Sequence, residues 1–507
     1  MYDRNHLAAR LRGAAPADAL FATCAGRPDL SYGALFEGAE RIAAGLAALG
    51  VRPGDRVAAQ VEKSIEAIQL YLGTVLAGGV FLPLNTGYTP AEIEYFVTDA
   101  EPAVFVCDPR AEAALAPLAA RAGAKTLTLG ADGAGSLMDA RREAGFEAVA
   151  RGPDDLAAVL YTSGTTGRSK GAMLSHDNLA SNAAALAQCW RFTSADRLIH
   201  ALPIFHTHGL FVATNVTLMA GASVIFMAKF DPDAVIAAMG DGATVLMGVP
   251  TFYTRLLEHP GLSPEAASGM RLFVAGSAPL LAETHRQWSA RTGHAVLERY
   301  GMTETSMITS NPYDGERRPG AVGFPLPGVA VRVADPETGA ELPRGEIGGV
   351  EVKGPNVFKG YWRMPEKTAE EFRKDGWFIT GDLGMIDADG YLVIVGRSKD
   401  MVITGGYNVY PKEIEALIDD LPGVKESAVI GVPHPDFGEG VVAVVAVEPG
   451  ATVAEAAVMA ALEGRLARYK QPKRVILTAD LPRNTMGKVQ KAALRAEHAA
   501  LFRKASA

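Results

Sequence analysis

The stretch Tyr161-Thr-Ser-Gly-Thr-Thr-Gly-Arg-Ser-Lys170-Gly171 constrains this chain more than any other. It follows an apolar run over 156–160 that reads as a buried strand. It precedes Ser175-His-Asp-Asn178, a helix cap ahead of an apolar-periodic run over 179–190. The glycines Gly164, Gly167 and Gly171 let backbone come close to an anion and adopt positive φ. The hydroxyls of Thr162, Ser163, Thr165 and Thr166 and the free N–H groups can donate to its oxygens, and Lys170 adds a charge. Such a loop suits phosphate. A Walker loop needs Lys directly after its last glycine and before Ser or Thr, whereas Arg168 and Ser169 intervene here and Gly171 follows. Composition alone leaves a plain flexible surface loop open.

With 507 residues, the chain has room for roughly three domains, or one large and one small. The 57 acidic and 49 basic residues give a net charge of −8 without long single-sign blocks, which argues against nucleic acid or an anionic membrane as partner. Cys24, Cys107 and Cys189 are far apart and in no metal-like spacing, as expected in a reducing compartment. The first residues lack the apolar core of a signal peptide, and no run reaches about eighteen apolar residues. A cytoplasmic protein is expected, with no membrane span.

From residue 30 to about 129 amphipathic helices (36–49, 64–77) alternate with short apolar strands (56–60, 103–107). Strands at 197–202, 222–226, 244–249 and 270–275 continue the alternation. That pattern predicts α/β architecture with parallel sheets covered by helices. From about 330 to 398 short strands punctuated by Gly and Pro predict a β-rich subdomain. Beyond residue 399 the strands 401–403, 427–432, 441–447 and 474–477 and the helices 411–421 and 454–467 predict a small α+β domain. The expected division is 1–398 and 399–507.

The order of residues in YTSGTTGRSKG resembles the phosphate signature of the adenylate-forming enzymes, the family of acyl-CoA synthetases, luciferases and peptide-synthetase adenylation domains. Further stretches match in order along essentially the whole chain. Tyr300-Gly301-Met302-Thr303-Glu304 resembles the second ATP signature; the resemblance implies that Thr303 donates to phosphate and Glu304, a hard oxygen ligand, holds Mg2+. Read alone, the pentapeptide could be a capped turn. Gly376-Trp-Phe-Ile-Thr-Gly-Asp382 resembles the ribose segment, with Asp382 accepting from the ribose hydroxyls and Arg397 closing the other side. Gly276-Ser277-Ala278-Pro279 and Glu298-Arg299-Tyr300 resemble the segments around adenine. Pro482-Arg-Asn-Thr-Met-Gly-Lys488 resembles the loop of a catalytic lysine carried by a mobile C-terminal domain. The resemblance further implies a hinge at Lys399, a CoA tunnel at Gly405 and Gly406, and His206 beside the reacting carboxylate. His206-Thr-His208 could also be read as a zinc pair, but no third ligand with suitable spacing is evident. Some relatives are acetylated at this lysine, which would make a lysine acetyltransferase and a deacetylase partners at Lys488.

Within the family, FHTHGLF, TVLMGVPTFYTRLL and RYGMTETSMITSNPYDGERRPGAVG resemble the malonyl-CoA synthetase subfamily. The resemblance implies malonate, ATP and CoA as substrates and Thr207, Ser277 and Met307 around the acid. A second carboxylate requires a cation, because burying it unpaired costs several kcal/mol. Arg286 is expected there by the same resemblance, with Arg255 a weaker candidate; Arg286 could equally be a surface helix residue. Two other readings stay open: an enzyme that activates another small acid such as methylmalonate or loads a carrier protein, and a luciferase-like oxygenase or nucleotide-binding module without catalysis. The presence of Lys488, Glu304 and Lys399 weighs against the last.

Overall fold

The computed structural model describes residues 2–162, 169–405, 407–463, 465–484 and 487–502. Its large N-terminal part holds two helix-covered sheets. In the first, strands Lys125–Thr128, Val104–Cys107, Arg56–Gln60, Val80–Pro83 and Leu156–Thr162 run parallel, and Lys170–Ser175 adds an antiparallel edge. The glycine-rich stretch therefore falls, in the sequence, between two antiparallel strands. The expected path ran from strand through loop to helix cap and omitted strand Lys170–Ser175. The cap itself is present: Ser175 accepts from the Asn178 N–H, and the Asn178 side chain accepts from the Ser175 N–H.

The second sheet has nine strands, parallel through its centre in the order Leu297–Met302, Leu272–Ala275, Val245–Gly248, Arg197–His200, Ser223–Phe226 and Leu20–Cys24. Helix Ile65–Leu76 is buried along its whole length between the layers, and Ser64 caps it by accepting from the Ala67 N–H. A helix buried on all sides needs cover all round, and helices Tyr32–Ala48 and His6–Arg12 together with strand Val80–Pro83 provide it. Loops bearing the motifs leave the carboxyl ends of Leu156–Thr162, Arg197–His200 and Leu272–Ala275, where open α/β sheets collect ligands.

Strands Ala330–Ala334, Gly348–Lys353, Phe378–Ile386 and Leu392–Arg397 form the antiparallel subdomain. The C-terminal part is a five-stranded sheet in which Val424–His434 and Gly438–Val447 form a long hairpin. Helices Pro411–Asp419 and Glu455–Leu462 pack Ile414, Ile418, Val458 and Leu462 on one face, and Leu494 of helix Lys491–Glu497 lies on the other. The helix expected over 454–467 stops at Leu462. Glu463 is already extended, at φ −65° and ψ 134°, and Gly464 follows it in the sequence, a poor residue for continuing a helix. Among the described residues no helix is long and apolar enough to cross a membrane.

Candidate active site

Lys488 reaches the large domain from a tight turn. Its N–H donates to Asn484 Oδ1 at 3.0 Å, and the Gly487 N–H to the Asn484 carbonyl at 2.9 Å. Gly487 has φ +74°, and a Cβ there would stand 3.4 Å from Thr251 on helix Pro250–Glu258, so this loop lies against the large domain. The Lys488 side chain stays exposed at its surface although protein surrounds it. Loss of solvent, then Arg397, pushes its ammonium down to about 8, while Asp382 and Glu304 pull the other way.

Asp382 and Arg397 face each other across the strands Phe378–Ile386 and Leu392–Arg397. Asp382 is 5% exposed; its Oδ1 lies 3.1 Å from Arg397 Nε and its Oδ2 accepts from the Tyr300 hydroxyl at 2.6 Å. The two sequence stretches expected around the nucleotide thus meet at one buried carboxylate.

Glu304 is 5% exposed and, among the described residues, forms no ion pair. Its Oε1 lies 3.1 Å from the Tyr361 hydroxyl and 3.4 Å from Thr162 Oγ1. Burial raises its carboxyl above the usual range. The single Tyr361 proton goes to the nearer carboxylate, Glu371 Oε2 at 2.6 Å, and Glu371 Oε1 accepts from Lys170 at 2.8 Å. Burial alone would raise Glu371, but Lys170 and Tyr361 outweigh it and hold the carboxyl low. Thr303 sits in the turn closed by the Thr305 N–H on the Met302 carbonyl.

His206, Thr207 and His208 open a π-helical turn, His208–Thr214. Gly209 is needed there, since a Cβ would stand 2.0 Å from the Pro203 carbonyl oxygen. Lys63 donates to His200 Nδ1 at 3.0 Å, which leaves His200 Nε2–H to donate to the Gly209 carbonyl at 3.0 Å and hold the turn. His206 Nδ1 accepts from the His208 N–H, and burial followed by Lys488 and Arg299 pushes His206 down to about 3, so the imidazole is neutral. Thr207 Oγ1 is buried without a partner, and His208 Nδ1 lies 3.2 Å from Ser277 Oγ. Ser277 has φ +71°, a strained value for a serine, in the turn Gly276-Ser277-Ala278-Pro279 that follows strand Leu272–Ala275.

Arg299 packs against that turn: a Cβ at Gly276 would lie 2.4 Å from its guanidinium carbon. It is 3% exposed, forms no ion pair among the described residues, and leaves Nε and Nη2 unbonded. Burial pulls this guanidinium down to about 9. Its neighbour Glu298 accepts from the Leu280 N–H, has one unbonded oxygen and is raised by burial to about 7.

Arg286, expected at the second carboxylate, does not stand there. Its side chain is 52% exposed on helix Ala282–Thr292 and pairs with Glu283 at 2.8 Å and with Asp420 of the C-terminal part at 3.1 Å. Helical spacing turned it outward, and a solvated guanidinium with two acidic partners gives no buried charge. Arg255 is exposed as well. Met307 is buried on strand Ser306–Ser310, and Lys399 lies in a short 3₁₀ turn, Ser398–Asp400. Gly405 has φ +58° at the end of strand Val402–Thr404. Ser163, Gly164, Thr165, Thr166, Gly167 and Gly406 lie outside the described residues. The sequence reading missed the charge-binding potential of Arg299, which it assigned to the nucleotide, and the Lys170–Glu371–Tyr361 chain. Flanked by Glu298 and Tyr300, Arg299 carries no local sequence signal of its burial.

A family model described as AMP-binding enzyme matches residues 10–362, and one described as AMP-binding enzyme C-terminal domain matches 413–488. The ATP-bound crystal structure of MatB from Rhodopseudomonas palustris superposes with a TM-score of 0.97 at 63% identity, covering 99% of this chain and 100% of that one. The apo structure of MatB from the same organism gives 0.86 at 64% identity, covering 99% and 100%. At nearly equal identity the higher score is with the ATP-bound form. A malonate–CoA ligase of Arabidopsis thaliana is 36% identical over 480 residues, 88% of this chain and 78% of that protein. With both family models matched in order and these likenesses spanning nearly the full length, the chain belongs to the adenylate-forming AMP-binding enzymes.

Proposed function

We propose that this chain is an ATP-dependent malonate:CoA ligase that forms malonyl-CoA, AMP and pyrophosphate through malonyl-AMP. The observation that carries the choice of acid is Arg299. A buried guanidinium without a carboxylate partner, beside His206, His208 and Ser277, is complementary to an acid with a second negative charge. The MatB and malonate–CoA ligase likenesses support the same reading.

One malonate carboxylate attacks the α-phosphorus and pyrophosphate leaves. Lys488 neutralises charge on the α-phosphate and the attacking carboxylate, and neutral His206 sits beside the reacting group without repelling either. Asp382 holds the ribose while Tyr300 and Arg397 fix its carboxylate. Glu304, buried and without an ion pair among the described residues, fits a divalent ion, with Thr162 and Thr303 beside it. Bound Mg2+ would screen the triphosphate charge. The C-terminal domain then pivots at Lys399, withdrawing Lys488 and bringing Gly405 to the CoA path. The CoA thiolate attacks the acyl carbon, forming the thioester and releasing AMP. Met307 and Thr207 bound the space for an α-substituent. The exposed surface of Lys488 leaves it open to a lysine acetyltransferase, and the free cysteines suit the cytoplasm.

The test supplies ATP, Mg2+ and CoA with malonate, methylmalonate, acetate, propionate or benzoate and measures each CoA thioester by mass. Malonate should lead propionate in kcat/KM by about a hundredfold or more, the discrimination expected of one buried ion pair. Equal turnover of acetate or benzoate would refute the assignment.

A further inference from the structure

Lys170 closes the phosphate loop, yet its ammonium is held elsewhere, 2.8 Å from Glu371 Oε1 and 4.1 Å over the Tyr361 ring. Glu371 caps the C-terminus of helix Pro365–Glu370. Its other oxygen accepts from the Tyr361 hydroxyl at 2.6 Å, and Lys367 stands 3.4 Å from Oε1. Of these three partners only Lys170 belongs to the phosphate loop. When Lys170 turns to a phosphate, Tyr361 and Lys367 still satisfy the carboxylate. When the phosphate goes, Lys170, at 18% exposure, returns to a carboxylate instead of standing unpaired.

We propose that Glu371 is a positioning residue that competes with pyrophosphate for Lys170 and so promotes pyrophosphate release. The inference rests on the phosphate-loop reading. A fixed cation that grips the β- and γ-phosphates of ATP grips the leaving pyrophosphate equally, and such uniform binding slows product departure without helping the chemistry. A carboxylate within reach of the same ammonium offers it an alternative partner, so the grip is weakened for ATP and pyrophosphate alike. AMP, which lacks both phosphates, should be indifferent to it.

The test is calorimetric binding of inorganic pyrophosphate, ATP and AMP to the full-length wild type and to Glu371→Gln, whose amide oxygen still accepts from Tyr361. Pyrophosphate and ATP should bind the variant about tenfold more tightly, equivalent to about 1.4 kcal/mol, with AMP within twofold of wild type. Pyrophosphate should also become a stronger product inhibitor. In a Lys170→Met background the Glu371→Gln effect should shrink to under about twofold, because the partner competed for is gone. Unchanged or weaker pyrophosphate binding, parallel tightening of AMP, or an undiminished effect without Lys170 would each overturn the inference. Absence of ATP and pyrophosphate binding to the wild type would overturn the phosphate-loop reading as well. Should Glu371→Gln not fold, Glu371→Asp, which draws the charge back by one methylene, should tighten pyrophosphate binding to a smaller degree, and an unchanged affinity there would count against the proposal.

Discussion

Replacing Arg299 by Met removes the charge while keeping a long side chain, and two effects of opposite sign should follow. The guanidinium is 3% exposed and burial has drawn it down to about 9. Keeping this cation out of water without an acidic partner therefore destabilises the folded enzyme. Because the folded value is depressed, the cost applies in full below about pH 9 and fades as pH rises above it. Arg299→Met should therefore unfold at a higher temperature than wild type at pH 7, as when a buried charge gives way to an apolar side chain. Malonate turnover should fall by the roughly 2 to 5 kcal/mol lost when one member of a desolvated charge pair is removed, about a hundredfold or more in kcat/KM. Propionate, with no second carboxylate, should change by less than about threefold. The assay compares kcat/KM for both acids in wild type, Arg299→Met and the surface control Arg286→Ala, whose exposed pairs with Glu283 and Asp420 lie away from the pocket. An equal fall for both acids, or a selective loss in Arg286→Ala, would refute the reasoning.

Lys488→Ala should abolish malonyl-AMP formation yet convert supplied malonyl-AMP to malonyl-CoA at a near-normal rate; equal loss in both half-reactions, measured separately, would make the lysine structural. In the proposed mechanism the first half-reaction uses the ammonium, which the surrounding protein and Arg397 bring down to about 8, so adenylation should decline as pH rises through about 8 while thioester formation does not; parallel pH profiles would contradict this. Lys399→Pro fixes φ in the turn Ser398–Asp400 and should retain pyrophosphate exchange while losing thioester formation; normal malonyl-CoA synthesis would move the pivot elsewhere.

The layered α/β fold was legible because short apolar runs and amphipathic helices alternate, and Arg56–Gln60 matches its expected bounds. Strand Lys170–Ser175 was not, because Lys-Gly-Ala-Met-Leu-Ser has no β-branched residue and its strand form comes from pairing with the neighbouring strand Leu156–Thr162. The family resemblance was legible through residue order, whereas the choice between two arginines depended on burial. Arg286 follows a pocket loop in sequence but faces outward. Arg299, flanked by Glu298 and Tyr300, looks solvated on paper and is enclosed by Gly276 and the histidine turn. Glu371 carries no local mark at all, because its meaning comes from a lysine 201 positions away.

The central claim is a malonyl-adenylate intermediate, and malonate-dependent exchange of labelled pyrophosphate into ATP tests it most directly. With malonate, ATP and Mg2+ but no CoA, the wild type should incorporate label into ATP, Lys488→Ala should not, and omission of malonate should stop the exchange. Exchange that requires CoA, or release of ADP and phosphate in place of AMP and pyrophosphate, would contradict the account.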